Sequence, residues 1–114
     1  MPTTATTRYD RYGRAAGYIS PIEGAPEAYL IDQSNSAVTY VCYYETGSGP
    51  RAIRRIEKDT ATGVTRISVG WGAWDDRATI DYYPVNSVFT VNDETHALES
   101  VSPNNTPVPA FDAA

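Results

Sequence analysis

At 114 residues and 41% hydrophobic content, the chain has the length and apolar material for one domain with its own core. The net charge is −5, and the excess acid sits at one end: Asp81, Asp93, Glu94, Glu99 and Asp112 meet no basic residue after position 80. That acidic C-terminal third disfavours nucleic acid as a partner, because phosphate needs Lys and Arg, and the lone Cys42 excludes an internal disulfide or a multi-cysteine zinc site.

The composition favours β structure. Tyrosine, threonine and valine are abundant, while leucine and methionine occur only at Met1, Leu30 and Leu98. Residues 1–26 are rich in Thr, Gly, Pro and Ala, and prolines at 2, 21 and 26 argue against a helix. This segment is expected to be an extended N-terminal arm. It lacks the apolar stretch of a secretory leader, and no run in the chain approaches the ~20 apolar residues that span a bilayer. The protein is therefore expected to stay in a cytoplasm or leave it by lysis.

Residues 27–92 predict a β-domain. Its strands are expected at 27–31, 37–45, 51–58, 64–71, 77–83 and 85–92, joined by turn-like "TGSGP" (46–50) and by "DTATG" (59–63), where Gly63 can take a positive φ. In "AVTYVCYYE", Val38, Tyr40, Cys42 and Tyr44 share one face and Val41 and Tyr43 the other, which predicts a central or interface strand. In "RAIRRIEK", Ile53 and Ile56 have opposite parity, so strict alternation fails, and a bulge is one way to bring both inward. In "VTRISVGW", Thr65, Ile67, Val69 and Trp71 form an inward row. Residues 93–114 open on a polar stretch that could make one helical turn. They close on "SPNNTPVPAFDAA", expected to be an extended, acidic, Pro-rich C-terminal arm. The fold class expected is all-β: a small antiparallel β-sandwich or barrel with extended arms at both ends.

Side chains that could carry chemistry cluster in "GWGAWDDRATIDYY" (70–83). Asp75 and Asp76 could act as acid and base, but adjacent residues of an extended chain point to opposite faces and would not flank one bond. A turn role, with an ion pair to Arg77, accounts for them better. Asp75, Asp76 and Asp81 offer oxygens to calcium but lack the spacing of a binding loop. Trp71 continues the inward row and reads as core, whereas Trp74 stands in a loop and could stack on a sugar. Cys42 as a nucleophile would need a histidine, and only His96 exists, in a distant polar run. No phosphate loop, Ser-His-Asp pattern or metal signature is present, so neither a cofactor nor a metal is expected.

Two basic groups suggest protein contact. Arg51, Arg54, Arg55 and Lys58 lie along one strand, as a solvated face or as a patch that meets the acids of a second copy. In the N-terminal arm, Arg8, Arg11 and Arg14 alternate with Tyr9, Tyr12 and Tyr18, and arginine and tyrosine are the residues of interface hot spots.

The segment "RAIRRIEK…GVTRISVGWGAWDDRATIDY" resembles a small domain common among proteins of tailed bacteriophages. That family shows a Trp-x-Ile-x-Arg/Lys-Ile element, an apolar strand ending in a Trp-rich turn, and a Trp-Asp/Asn-Asp/Asn-Arg-Ala-Ser/Thr-Leu/Ile-x-Tyr element. Here the first element is Arg51-Ala52-Ile53-Arg54-Arg55-Ile56 and the last is Trp74 to Tyr82. Arg51 replaces the usual tryptophan, and the loop between Val69 and Trp74 is shorter than usual. The resemblance covers roughly residues 38 to 83. It implies a non-enzymatic virion component, in tail, neck or fibre attachment or as capsid decoration, assembled in the host cytoplasm. The implied partners are other virion proteins and copies of itself, with neither nucleic acid nor membrane. A glycan-binding module using exposed aromatics is the alternative, and a hydrolase using Asp75 or Asp76 is a third, less favoured one.

Overall fold

The structure is a computed structural model, and it describes residues 6–11, 29–43, 49–103 and 105–111. Its strands are β1 (Thr6–Tyr9), β2 (Leu30–Asn35), β3 (Val38–Cys42), β4 (Arg51–Lys58), β5 (Thr65–Gly72), β6 (Tyr82–Pro84), β7 (Val88–Asn92) and β8 (Leu98–Ser102). They form two antiparallel sheets, one ordered β2-β3-β4-β5-β6 and the other β1-β7-β8. The two pack as a small β-sandwich. Among the described residues no helix is long and apolar enough to cross a membrane.

The inter-sheet core follows from alternation along the strands. Ala52 of β4, Val69 and Trp71 of β5 and Tyr83 of β6 point at Phe89 and Val91 of β7 and Val101 of β8. Phe89 is the hub, with its ring centroid 5.9 Å from Trp71 and 6.2 Å from Tyr83. The row that ends in Trp71 thus turns inward as expected at Val69 and Trp71, while Ile67 stays 40% exposed and Thr65 is open to solvent.

Two expectations fail for a shared reason, the extent of the second sheet. β1 falls inside the segment read as an arm: its Arg8 pairs with Thr90 and its Tyr9 ring lies 5.0 Å from Trp71. β8 falls inside the segment read as a C-terminal arm, so residues 85–92 are not the last strand. Leu98 and Val101 supply the apolar contacts that hold β8 in place. Between β7 and β8 the polar stretch makes a hairpin whose loop holds the expected single helical turn, the His96 N–H donating to the Asn92 carbonyl four residues back at 2.7 Å. The Asn92 side-chain oxygen accepts the N–H groups of Glu94 and Thr95, both at 2.9 Å, and His96 takes a φ of 59°. The remainder of the N-terminal arm, with Tyr12, Arg14 and Tyr18, and most of the 46–50 turn lie outside the described residues.

The bulge that would bring both isoleucines of β4 inward is absent. β4 pairs with β5 without a break from Arg51↔Gly72 to Lys58↔Thr65. Ile53 and Ile56 face opposite sides because both faces of this strand are covered. The register shifts occur instead in β2, between Asp32 and Asn35, and in the β7–β8 pair, at Thr90/Val91. The first strand of the larger sheet is likewise displaced, from 27–31 to Leu30–Asn35. The 59–63 hairpin loop forms as expected, with Gly63 at φ 76° and its N–H bonded to the Asp59 carbonyl at 2.7 Å.

Cross-strand pairing places Asp32, Tyr40, Cys42, Ile53, Arg55, Glu57, Arg66, Ser68 and Tyr82 on the face of the larger sheet that points away from the smaller one. Most of this outer face is buried too: Cys42, Ile53 and Ser68 are fully buried, and Glu57 and Tyr82 nearly so. Cys42 is therefore the small buried side chain its strand suggested. The cover comes from two irregular segments, the return from Trp74 to Asp81 and the described C-terminal residues 105–111.

Candidate functional site

Of the residues singled out in the sequence, Arg51, Arg55 and Trp74 to Tyr82 lie on this outer face and its covers, whereas Arg54 and Lys58 sit on the inner side of β4 and Arg8 and Tyr9 belong to the smaller sheet. Residues 77–83 do not form the strand expected of them. Trp74–Asp76 is a 3-10 turn, the chain continues through irregular backbone, and β6 begins only at Tyr82. The cause is visible at Gly70 and Gly72, where the returning chain lies directly on β5. A Cβ on Gly70 would sit 2.6 Å from the Asp81 carbonyl oxygen, and one on Gly72 would sit 2.7 Å from Ile80 Cγ2. The glycines that flank Trp71 open the outer face to the chain while Trp71 itself fills the core behind it.

Asp75 and Asp76 are exposed in the turn and do not pair with Arg77. Arg77 reaches back to β2 instead. Its Nε lies 2.9 Å from Asp32 Oδ2, its Nη1 donates to the Trp74 carbonyl at 2.8 Å, and its guanidinium carbon stands 4.6 Å from the Trp74 ring centroid. The Tyr82 hydroxyl donates to the Arg77 carbonyl at 2.6 Å. Burial pushes the Tyr82 phenol well above its ordinary pKa and keeps it in the donating form. The corner is thus a chain of structural contacts: Asp32 to Arg77, Arg77 to Trp74, and Arg77 to Tyr82. Trp74 is half-buried beneath the guanidinium.

The Asp32 carboxyl is held down to about 2, first by hydrogen bonds from the Ser34 hydroxyl and N–H and then by Arg77. Because the folded value lies below the ordinary carboxylate value, the stabilisation is complete above that ordinary value. It is lost as pH falls through about 2. Unfolding free energy followed by urea titration from about pH 5 to about pH 2 should fall more steeply for the wild type than for Asp32→Asn. Equal slopes would refute the assignment.

The basic cluster is not a solvated face. Arg51 and Arg55 are 4% and 8% exposed, and Arg54 is half-buried against Tyr43, with Nη1 3.3 Å from the Tyr43 hydroxyl. Lys58 alone of the four is open to solvent. Arg51 Nη1 lies 3.7 Å from Cys42 Sγ. Arg55 stands 4.4 Å over the Tyr82 ring and pairs with Glu57 at 3.1 Å. Glu57 also pairs with Arg66 at 2.9 Å, directly across the β4–β5 ladder. In the N-terminal group, Arg8 is exposed, Arg11 half-buried, and Tyr9 belongs to the core edge.

The Pro-rich segment is held by this cluster. The Val108 N–H donates to the Tyr82 carbonyl at 2.6 Å, and Arg55 Nη2 donates to the Val108 carbonyl at 2.9 Å. Arg66 donates to the Pro109 carbonyl and stands 4.0 Å over the Phe111 ring, and the Phe111 N–H donates to Glu57 Oε2 at 3.0 Å. Residues 105–111 therefore lie across their own sheet. Glu57, Arg66 and Phe111 were not singled out from the sequence. The signal was the period-two row Arg51, Ile53, Arg55, Glu57, which puts a carboxylate in line with two arginines on a face that alternates from Ala52 and Ile56.

Among the described residues no group of three or more His, Cys, Asp or Glu side chains is placed to hold a metal ion, and Asp75, Asp76 and Asp81 do not form such a group. His96 lies in the β7–β8 turn, with its carbonyl accepting the Trp71 Nε1–H at 2.9 Å, and is not brought to Cys42. Comparison with protein-family models, with curated proteins and with solved structures finds no match to this chain.

Proposed function

We propose that the chain is a non-enzymatic structural protein of a bacteriophage virion, acting by protein–protein contacts in a repeated assembly. It would serve as a tail, neck or fibre-attachment component or as a capsid decoration protein, with other virion proteins and copies of itself as partners. The observation that carries this reading is the use made of Trp74 to Tyr82, the segment of the phage-domain resemblance. Its arginine, tryptophan and tyrosine are engaged in holding the corner, and its adjacent acids Asp75 and Asp76 stand exposed with no ion pair to a basic side chain among the described residues. The surface, rather than a reaction centre, is then the working part. The exposed Ile31 and Ile67, at 57% and 40%, add apolar area to that surface.

The test is incorporation into particles. Truncation of residues 1–20 is unsuitable, because it would delete β1. Replacing Tyr12, Arg14 and Tyr18 together by alanine touches none of the described strands. Under this proposal the triple variant is depleted several-fold from purified particles, by quantitative immunoblot, at unchanged thermal stability. A wild-type chain that never co-purifies with particles sinks the reading. The half-buried Trp74 keeps glycan stacking as the second reading, although Arg77 already lies over the ring. A glycan array on which the wild type binds and Trp74→Ala does not would favour it.

A further inference from the structure

We infer that residues 105–111 and the groove they occupy are an exchangeable pair, through which the tail of one copy docks on the sheet of a second copy. This deepens the proposed function and rests on it for its setting, while its chemistry stands on the groove alone.

The groove runs from the edge of β6 across β5 to β4. Tyr82, Arg66, Arg55 and Glu57 read four main-chain groups of the tail: the Val108 N–H and carbonyl, the Pro109 carbonyl and the Phe111 N–H. Arg66 adds one side-chain contact, over the Phe111 ring. Recognition of this kind combines strand-edge bonding with an aromatic anchor, and it selects an extended peptide with an aromatic side chain three residues after the first bonded main-chain group. Pro107 and Pro109 favour that extended form before docking and reduce the ordering cost.

Nothing in these contacts depends on which copy supplies the tail. Only Val108, Ala110 and Phe111 are half-buried, and Asn105, Thr106, Pro107 and Pro109 are exposed, so no hydrophobic core seals the tail to its own domain. The connector, residues 103–107, is exposed wherever it is described, and it can reach roughly 18 Å at about 3.5 Å per residue. A short hinge of this kind invites exchange between identical chains. In dilute solution the tethered tail, at an effective concentration in the millimolar range, retains its own groove. Copies held at comparable density, as in a repeated assembly, can trade tails at no loss of contacts. Each copy then gives one tail and accepts one, a head-to-tail contact that closes a ring or extends a row.

Two full-length variants separate the halves of the pair: Phe111→Ala keeps the groove and weakens the tail, and Arg66→Ala keeps the tail and weakens the groove. A fluorescent peptide with the sequence of residues 103–114 is titrated into each by anisotropy. It should bind Phe111→Ala roughly tenfold more tightly than wild type, whose resident tail competes, and should not bind Arg66→Ala measurably. Arg66→Lys, with its charge kept and its planar stack lost, should fall between. In sedimentation, an equimolar mixture of the two alanine variants should form hetero-pairs at concentrations where each alone is monomeric. Absence of peptide binding to Phe111→Ala, equal binding to wild type, or a mixture that stays monomeric overturns the inference. These readouts use purified protein without particles, so exclusion from particles with peptide exchange intact would overturn the virion reading alone.

Discussion

Replacing Glu57 by alanine should lower the unfolding free energy by about 3–5 kcal/mol, the largest effect expected of any single charged residue here. The carboxylate is 2% exposed and lies between two guanidinium groups, Arg55 at 3.1 Å and Arg66 at 2.9 Å. Its removal leaves Arg55, itself 8% exposed, as a charge inside the protein without its carboxylate, and takes the acceptor from the Phe111 N–H. Desolvating an ion pair offsets much of its attraction, so the intact pair contributes little net stability, yet losing one member is costly. Glu57→Gln keeps an acceptor for Phe111 and should cost less than the alanine. Asp75→Ala and Asp76→Ala, at exposed turn positions, should stay within about 0.5 kcal/mol of wild type. Urea denaturation of the four variants checks the ordering. A Glu57→Ala chain within about 1 kcal/mol of wild type would show that water reaches the cluster and would remove the basis for the estimate.

Gly70→Ala should destabilise by about 1–3 kcal/mol, even though alanine is the better strand residue by about 0.5–1 kcal/mol. The added methyl would stand 2.6 Å from the Asp81 carbonyl oxygen, a main-chain atom that cannot swing aside as a side chain can. Moving it would pull on Tyr82, whose carbonyl and hydroxyl are both engaged, to Val108 and to Arg77. Gly72→Ala meets Ile80 Cγ2 at 2.7 Å, and the isoleucine can turn, so the cost should be smaller. Thermal unfolding of both variants gives the comparison. A Gly72→Ala chain less stable than Gly70→Ala would mean that the Ile80 packing, and not the main-chain approach, sets the corner.

Much of the fold was legible because alternation in β3, β5 and β7 is strong: Val69, Trp71, Phe89 and Val91 all lie where period two puts them. β4 misled because it is covered on both sides, so its apolar residues obey no single parity. A bulge was considered where the strand is regular. β1 and β8 were missed because Thr6–Tyr9 and Leu98–Ser102 are short, mostly polar strands at the two edges of a three-stranded second sheet, and neither shows a pattern apart from its partners. At the corner the sequence marked the right residues and the wrong pairing. Arg77 passes over its neighbours for Asp32, which lies far off in sequence and is brought close only by the pairing of the larger sheet from β2 through to β6. The tail was read only as an extended arm because prolines rule out a helix without revealing that a groove of matched donors and acceptors awaits an extended chain.

The pairing of β1 with β7, Thr6 with Asn92, has a consequence for how the chain is made. The β2 to β6 strands are joined in sequence order, and each can pair with its predecessor as it emerges from the ribosome. β1 has no such neighbour among the described strands. It must wait while the five strands of the larger sheet emerge, until β7 arrives, and only then can the smaller sheet close over Trp71 and Phe89. Order of emergence and order of pairing therefore run in opposite directions for β1, and the smaller sheet can close only after the larger one is complete.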